Sequence, residues 1–122
     1  MLALSSGTRY HLCRNHTDMR KGFDSLYGIV QDQMHLRPLS GDVFIFLNRR
    51  HTHIKLLVWE GDGLALYYKR LEKGTYKIPP ADANSKALIS MEQLQLLLEG
   101  FNFKNGKKRV GFPHFSKGVV GK

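Results

Sequence analysis

Six consecutive residues at 48–53, N-R-R-H-T-H, carry side chains that bind anions or metal ions. Arginine guanidinium groups bind phosphate in a bidentate manner, and two histidines at i and i+2 on a strand can share a zinc ion. Zinc needs at least one further ligand. The other histidines and the 10 carboxylates supply candidates but no recognisable spacing. Three alternatives follow: a polar hairpin loop, a metal site on His51 and His53, or a surface that binds a polyanion.

The charge of the chain favours the polyanion. The 122 residues include 19 Lys and Arg against 10 Asp and Glu, for a net charge of +9. A small domain this basic usually binds nucleic acid, an acidic membrane surface or an acidic protein. The alternative is that the charge only maintains solubility. Clustering of the charge, described below, argues against that alternative.

Several functional classes lack their sequence signatures. No apolar run reaches the roughly 18 residues of a membrane helix, and we see no signal peptide. Cys13 is the only cysteine, which excludes an internal disulfide and fits a reducing, cytoplasmic setting. No H-E-x-x-H, G-x-S-x-G or glycine-rich phosphate loop occurs. We therefore expect a non-catalytic protein without cofactor, bound metal or membrane segment, with a metal-dependent nuclease as a remaining alternative.

The elements that must position these residues follow from hydrophobic periodicity. Residues 8–14 alternate as in a short strand, and Thr17 or Asp18 is a candidate N-cap for a helix. Its apolar stripe comprises Met19, Phe23, Leu26, Tyr27, Val30 and Met34. Three strand-like segments follow at 42–48, 53–60 and 64–71, and then a connection at 72–89. A second helix begins after Ser90, which forms a capping box with Gln93, and it ends at Gly100.

The turn Glu60-Gly61-Asp62-Gly63 sets a register for the predicted hairpin. Trp59 then lies opposite Leu64, and His53 lies opposite Arg70. The apolar residues cluster near this turn, whereas basic residues from three separate segments meet at the other end of the sheet. The predicted nucleic-acid-binding residues there are Arg49, Arg50, His51, His53, Lys55, Tyr68, Lys69, Arg70 and Lys73.

The C-terminal segment is also basic. No Asp or Glu follows Glu99, and Lys107, Lys108 and Arg109 are added to the predicted nucleic-acid-binding residues. We interpret residues 104–122 as a tail that either follows the phosphate backbone or only aids solubility. Residues 1–103 then form one α+β domain in the order β-α-β-β-β-α. We expect an antiparallel meander sheet packed with two helices. The predicted core comprises Met19, Phe23, Leu26, Val30, Leu94, Leu97 and Leu98 from the helices, and Val43 or Phe44, Ile45 or Phe46, Leu56–Trp59, Leu64 and Leu66 from the strands.

Four motifs in the same order resemble a known family. They are T-D-M-R-K-G-F-D-S-L at 17–26, S-G-D-V-F-I-F-L-N-R-R at 40–50, I-K-L-L-V-W-E-G-D-G at 54–63 and L-Y-Y-K-R-L-E-K-G at 66–74. Together they resemble the TnpB accessory proteins of the insertion sequence 66 family of bacterial transposable elements, from about residue 4 to about residue 100. The resemblance implies a role that supports transposition beside a larger transposase, which carries the catalytic carboxylates. DNA and that transposase are therefore the expected partners, and a bacterial cytoplasmic, nucleoid-associated location is expected for a DNA-bound protein.

Overall fold

The computed structural model describes residues 4–5, 7–80, 88–102 and 107–108, with the backbone alone at 101–102 and 107–108. It confirms the predicted α+β class. The elements are β1 (Tyr10–Leu12), α1 (Phe23–Asp32), a 3-10 turn (Pro38–Ser40), β2 (Val43–Leu47), β3 (His53–Trp59), β4 (Leu64–Arg70), β5 (Leu88–Ile89), α2 (Met91–Glu99), β6 (Phe101–Asn102) and β7 (Lys107–Lys108).

Strands β2, β3 and β4 form the predicted antiparallel meander. The predicted register between β3 and β4 is confirmed from the His53–Arg70 pair to the Trp59–Leu64 pair. The Glu60 amide donates to the Gly63 carbonyl at 2.9 Å, and Gly61 has φ of 96°. This tight turn fixes the pairing, because a slip of one residue would reverse the faces of the strand.

The meander is only part of a five-stranded mixed sheet with the order β4-β3-β2-β1-β5. Strand β1 pairs in parallel with β2, and β5 pairs antiparallel with β1. The expectation of a wholly antiparallel sheet was therefore wrong. The reason lies in α1, which returns the chain across the sheet between β1 and β2 and so lets both strands run in one direction. Strand β5 falls inside the segment predicted to be a connection.

Both faces of the sheet are covered by a helix. Leu94 and Leu97 of α2 pack with Ile45, Ile54 and Leu56 on one face. On the other face, the α1 residues pack with alternate strand residues; this cluster contains Leu26, Ile29, Val30, Phe44, Phe46 and Leu57. All five residues of β2 are buried in consequence. The sequence alternatives at 43–46 are thus resolved, because both members of each pair are core residues.

Three predictions about the core and the first helix were wrong. Phe23 is 46% exposed, and Trp59 is only half-buried beside the exposed turn. The helix begins at Phe23 with Gly22 as its N-cap, and no side chain caps it. Thr17 does not cap it because the helix begins six residues later; the Thr17 amide donates to the Leu47 carbonyl at 2.8 Å, which holds this segment beside the end of β2. Asp18 instead binds Arg20.

The start and end of α2 are as predicted. Ser90 Oγ accepts a hydrogen bond from the Gln93 amide at 3.0 Å, and the Gln93 side chain accepts one from the Ser90 amide at 2.9 Å. Gly100 ends the helix with φ of 87°, in the left-handed region where glycine is favoured. Among the described residues, no helix is long and apolar enough to span a membrane.

A second sheet of two short strands, β6 and β7, follows α2. It extends past residue 103, where the sequence analysis placed the domain boundary. The remainder of the predicted tail, residues 104–106 and 109–122, lies outside the described residues.

Candidate nucleic-acid interface

Three segments converge at one end of the five-stranded sheet. Because β1 and β2 are parallel, the chain leaves both strands at the same end, and β4 also ends there. The Cys13 amide donates to the Ile45 carbonyl at 2.9 Å, so that the segment after β1 stays beside β2. We call the region formed by the three segments 13–21, 48–53 and 69–77, together with the adjoining Phe23, Lys55 and Tyr68, the basic end.

The basic end concentrates positive charge. Its three segments contain nine Lys and Arg residues but only two acidic residues, Asp18 and Glu72. Each of these carboxylates is paired with an arginine, Asp18 with Arg20 at 2.6 Å and Glu72 with Arg70 at 2.8 Å. The hydrogen bonds from Arg20 hold the pKa of Asp18 well below its usual range, and they raise the pKa of Arg20.

Six cations at this end have no ion-pair partner among the described residues. They are Lys21, Arg49, Arg50, Lys69, Lys73 and Lys77, and all six are exposed. Exposed, uncompensated cations on adjoining segments produce a positive surface potential that attracts and orients polyanions. These side chains can reach phosphate oxygens without first breaking an ion pair.

The hairpin between β2 and β3 is held by Asn48. Its Oδ1 accepts hydrogen bonds from the Thr52 amide at 2.9 Å and the His53 amide at 3.0 Å. Two backbone donors fix the orientation of the side-chain amide, so Nδ2 faces Thr52 Oγ1 at 3.0 Å and His53 Nδ1 at 3.2 Å. His51 takes a left-handed φ of 58° within this loop. The hairpin is therefore a defined structure that presents Arg49 and Arg50 to solvent.

This network also assigns a role to each nitrogen of His53. Its Nδ1 faces the donor Nδ2 of Asn48 and lies 2.8 Å from Thr52 Oγ1, so it acts as an acceptor. The proton of the neutral ring is then on Nε2. Nε2 can donate a hydrogen bond to an oxygen acceptor such as phosphate.

The segment after β4 is fastened to the same hairpin. The Leu71 amide donates to the Thr52 carbonyl at 2.8 Å, and the Tyr76 amide donates to the His51 carbonyl at 2.7 Å. The Tyr76 side chain is fully buried in the core on the α2 face. These contacts bring Lys69, Arg70 and Lys73 beside the hairpin.

Lys55 is at the basic end but is not on its surface. It is buried, and its Nζ donates to the carbonyls of Met19 and Lys21, both at 2.8 Å. The same ammonium group lies 4.5 Å from the centre of the Tyr68 ring. A buried ammonium that is already bound in this way cannot reach a phosphate. We therefore leave Lys55 out of the proposed binding surface and assign it the role of fastening the 13–21 segment to β3.

The remaining predicted residues fall into two groups. The basic end brings together Arg49, Arg50, His51, His53, Tyr68, Lys69, Arg70 and Lys73. Lys107 and Lys108 form β7, where only the backbone is described, and Arg109 lies outside the described residues.

The sequence analysis missed five basic residues of the basic end: Arg14, His16, Arg20, Lys21 and Lys77. The first four lie between β1 and α1, and the parallel pairing of β1 with β2 carries them to the hairpin. The predicted order strand–helix–strand was itself a signal, because such units usually place their two strands in parallel.

Among the described residues, His51 and His53 are not joined by a third metal ligand. Within the part of the chain that the structure describes, no three His, Cys, Asp or Glu side chains are grouped to hold a metal ion. Cys13 is buried, and burial raises the pKa of its thiol, which makes it a poor nucleophile at neutral pH.

The fold and the basic end define a small α+β protein with a positively charged surface at one end of a mixed sheet. The sequence model of the IS66 Orf2-like proteins matches residues 8–108, so this chain belongs to that family. The family implies an accessory role in the transposition of an insertion element, and it is not a known family of enzymes.

Two relatives from Sinorhizobium fredii (strain NBRC 101917 / NGR234) are similar over most of their length. The uncharacterized protein y4hO is 37% identical over 105 residues, which cover 86% of this chain and 90% of the relative. The uncharacterized protein y4jC is 28% identical over 109 residues, which cover 89% and 92% respectively. No solved structure matches the chain.

Proposed function

We propose that this protein supports transposition by binding DNA through the phosphate backbone at the basic end. The observation that carries this proposal is the convergence of three segments rich in Lys and Arg, whose two carboxylates are each already paired. Cations supply most of the affinity of proteins for the DNA backbone, because their binding releases condensed counterions.

The order of strands supports the proposal, because it presents the cations from neighbouring parts of one surface. The hairpin supplies Arg49 and Arg50, the end of β4 supplies Lys69 and Lys73, and the segment before α1 supplies Lys21. Hydrogen bonds to Asn48 and Lys55 fix the backbone of these segments. These cations are therefore carried by backbone segments of fixed position, which suits contact with a DNA backbone. No base-specific contact is proposed.

The proposal is tested by fluorescence anisotropy with labelled duplex DNA that carries the ends of an insertion element, and with unrelated duplex DNA. The logarithm of the affinity should fall with the logarithm of salt concentration by about 0.9 for each phosphate contacted. Replacing Arg49, Arg50, Lys69 and Lys73 with Ala should weaken binding to both duplexes. It should also make the slope shallower by about 1 for each residue that contacts a phosphate.

Two double variants that each remove two positive charges distinguish an effect of the position of the charges from an effect of the net charge. Arg49→Ala with Arg50→Ala removes two charges from the basic end. Arg9→Ala with Arg37→Ala removes two charges from the segments that lead into β1 and β2 at the other end. Equal loss of affinity in both double variants, or none in either, would contradict the proposed surface.

A protein adaptor that docks on the transposase is the competing outcome of the same experiment. It would show little DNA binding at low salt but a stable complex when purified with the transposase. A metal-dependent nuclease would cleave the labelled DNA when Mg²⁺ or Mn²⁺ is added.

A further inference from the structure

Two large aromatic side chains are exposed at the basic end on the face of the sheet that α1 covers. Tyr68 of β4 is 52% exposed, and Phe23 at the start of α1 is 46% exposed. Leaving a large ring in water forgoes the favourable burial of its surface. Leu66, two residues before Tyr68 on the same face, and Leu26, three residues after Phe23, both pack in the core, so the exposure of the two rings needs a physical explanation.

The Tyr68 ring is held in place from one side. The ammonium group of Lys55 lies 4.5 Å from the ring centre, within the range of a cation–π interaction. Two backbone carbonyls fix that ammonium group in turn. The ring of His53 lies 6.0 Å away with a tilt of 34°. Lys55 thus lies over the ring of a residue that remains 52% exposed.

Phe23 extends the apolar stripe of α1 toward this ring. Leu26 and Val30 lie three and seven residues later, on the same side of the helix, and both are fully buried against the cluster that contains Leu57. On that face, the strand pair after Leu57–Leu66 is Lys55–Tyr68. Phe23 is one helical turn before Leu26 and two residues after Lys21, whose carbonyl accepts a hydrogen bond from the same Lys55 ammonium group that contacts Tyr68. In the described part of the chain, no ring contact joins Phe23 to Tyr68.

Positive charge surrounds these two rings. Lys21 is exposed two residues before Phe23, and Arg70 is exposed two residues after Tyr68 on the same face of β4. Exposed aromatic rings framed by cations are typical of surfaces that bind single strands, because unpaired bases offer their faces for stacking while phosphates contact the cations. In a duplex, those faces are covered by neighbouring bases.

We propose that Tyr68 and Phe23 form a stacking site for unpaired nucleotides, so that the protein binds single-stranded DNA in preference to duplex DNA. This proposal rests on the proposed function, because it uses the same basic end. It adds the form of DNA that is bound and the two residues that select it. Lys55 is a positioning residue in this account, since it supports the Tyr68 ring from beneath.

The test compares the full chain with an oligo(dT) strand and with the corresponding dT·dA duplex by fluorescence anisotropy. Tyr68→Ala and Phe23→Ala should each weaken binding to oligo(dT) by about 5- to 100-fold and leave duplex binding nearly unchanged. Tyr68→Phe keeps the ring and should retain the affinity. Ultraviolet crosslinking of the unmodified protein to oligo(dT) should label the peptides that contain Phe23 or Tyr68, which does not depend on the folding of a variant.

Tyr67→Ala is the matched control. Tyr67 is the neighbour of Tyr68 on β4 and is 39% exposed, but it lies on the opposite face of the sheet. The stacking proposal is overturned if Tyr67→Ala and Tyr68→Ala have the same effect, or if duplex and single strand bind equally well.

The cation variant separates this result from a failure of the proposed function. If replacing Arg49, Arg50, Lys69 and Lys73 weakens binding of both DNA forms while Tyr68→Ala weakens neither, DNA binding stands and the stacking site does not. If the unmodified protein binds neither form of DNA, both proposals are overturned.

Discussion

The two ends of the sheet differ in both charge and construction. At the basic end, side chains hold the loops: Asn48 organises the hairpin and Lys55 fastens the segment before α1. At the opposite end, in the turn segments 40–42 and 60–63, left-handed glycines at Gly41 and Gly61 make the turns. Residues 40–42 and 60–63 contain three carboxylates and no Lys or Arg.

The carboxylate of Asp42 at the opposite end is occupied within the protein. It lies 2.9 Å from His11 Nε2 and 3.4 Å from Arg9 Nε. At the basic end, by contrast, cations outnumber carboxylates, and several of them are exposed without an ion-pair partner in the part of the chain that the structure describes. At the basic end, the side chains of Asn48 and Lys55 fix the backbone through hydrogen bonds. The exposed Lys and Arg side chains are not needed for that role and remain available to a partner.

Replacement of Lys55, which fastens the basic end, should have the largest effect on the free energy of unfolding. We expect Lys55→Met to lower the free energy of unfolding by about 2–4 kcal/mol, because the buried ammonium group is removed and two backbone carbonyls lose a charged donor. Chemical denaturation measures this. Lys69→Met is the matched control, since Lys69 is exposed on the same sheet and should change stability by less than about 0.5 kcal/mol. If the two variants were equally stable, Lys55 would not fasten the segment before α1 to the sheet.

Asn48 should have the next largest effect. Asn48→Ala removes the acceptor of two backbone amides in the hairpin and should cost about 1–3 kcal/mol in the free energy of unfolding. Asn48→Asp keeps an acceptor for those amides and should recover part of the loss. Thermal unfolding of the three proteins compares them. An alanine variant as stable as the unmodified protein would show that Asn48 does not hold the hairpin.

At the opposite end, the two glycines of the β3–β4 turn should respond differently. Gly61 has φ of 96°, so Gly61→Ala should cost about 1 kcal/mol or more. Gly63 has ordinary φ, and a Cβ there meets no heavy atom within 4 Å. Gly63→Ala should therefore be neutral within about 0.5 kcal/mol in chemical denaturation. Equal destabilisation by both changes would mean that the left-handed conformation does not set this turn.

The smallest expected effect is the pH dependence of the pair formed by Asp18 and Arg20. Because the pKa of Asp18 is lowered in the folded protein, its contribution to stability is present above the ordinary aspartate pKa of about 3.9. It is lost as the pH falls through the lower folded value. The pair is exposed, so the contribution is small.

Denaturation of the unmodified protein and of Asp18→Asn at several pH values checks this prediction. The small difference between their stabilities should be constant near neutral pH and shrink below about pH 4. A difference that grows on acidification would contradict the assigned sign.

The local parts of this fold were predictable from particular residues. The Glu60–Gly63 turn predicted the β3–β4 register, and Ser90 with Gln93 predicted the start of α2. The parallel pairing of β1 was missed because it joins segments about thirty residues apart, which no turn connects. The two-residue strand β5 was missed because two residues are too few to show a period.

Some features of the candidate site were likewise predictable from the sequence, and others were not. The register of the hairpin alone predicted that four basic residues meet at one end of the sheet: Arg49, Arg50, Lys69 and Arg70. The burial of Lys55 and the exposure of Phe23 did not follow, because a lysine on a strand is ordinarily solvated and a phenylalanine on an apolar stripe is ordinarily buried. Both outcomes depend on where α1 begins relative to the sheet.

The sequence by itself determined the α+β class, the meander and the concentration of charge at its hairpin end, since alternation, turn glycines and strand length act locally. Only the tertiary structure decided which cations are exposed, which one is held inside, and which further basic residues join them. The physical reason is that α1 carries the chain back across the sheet in a direction parallel to β1. This long-range packing places the segment before the helix over Lys55 and leaves Phe23 and Tyr68 exposed.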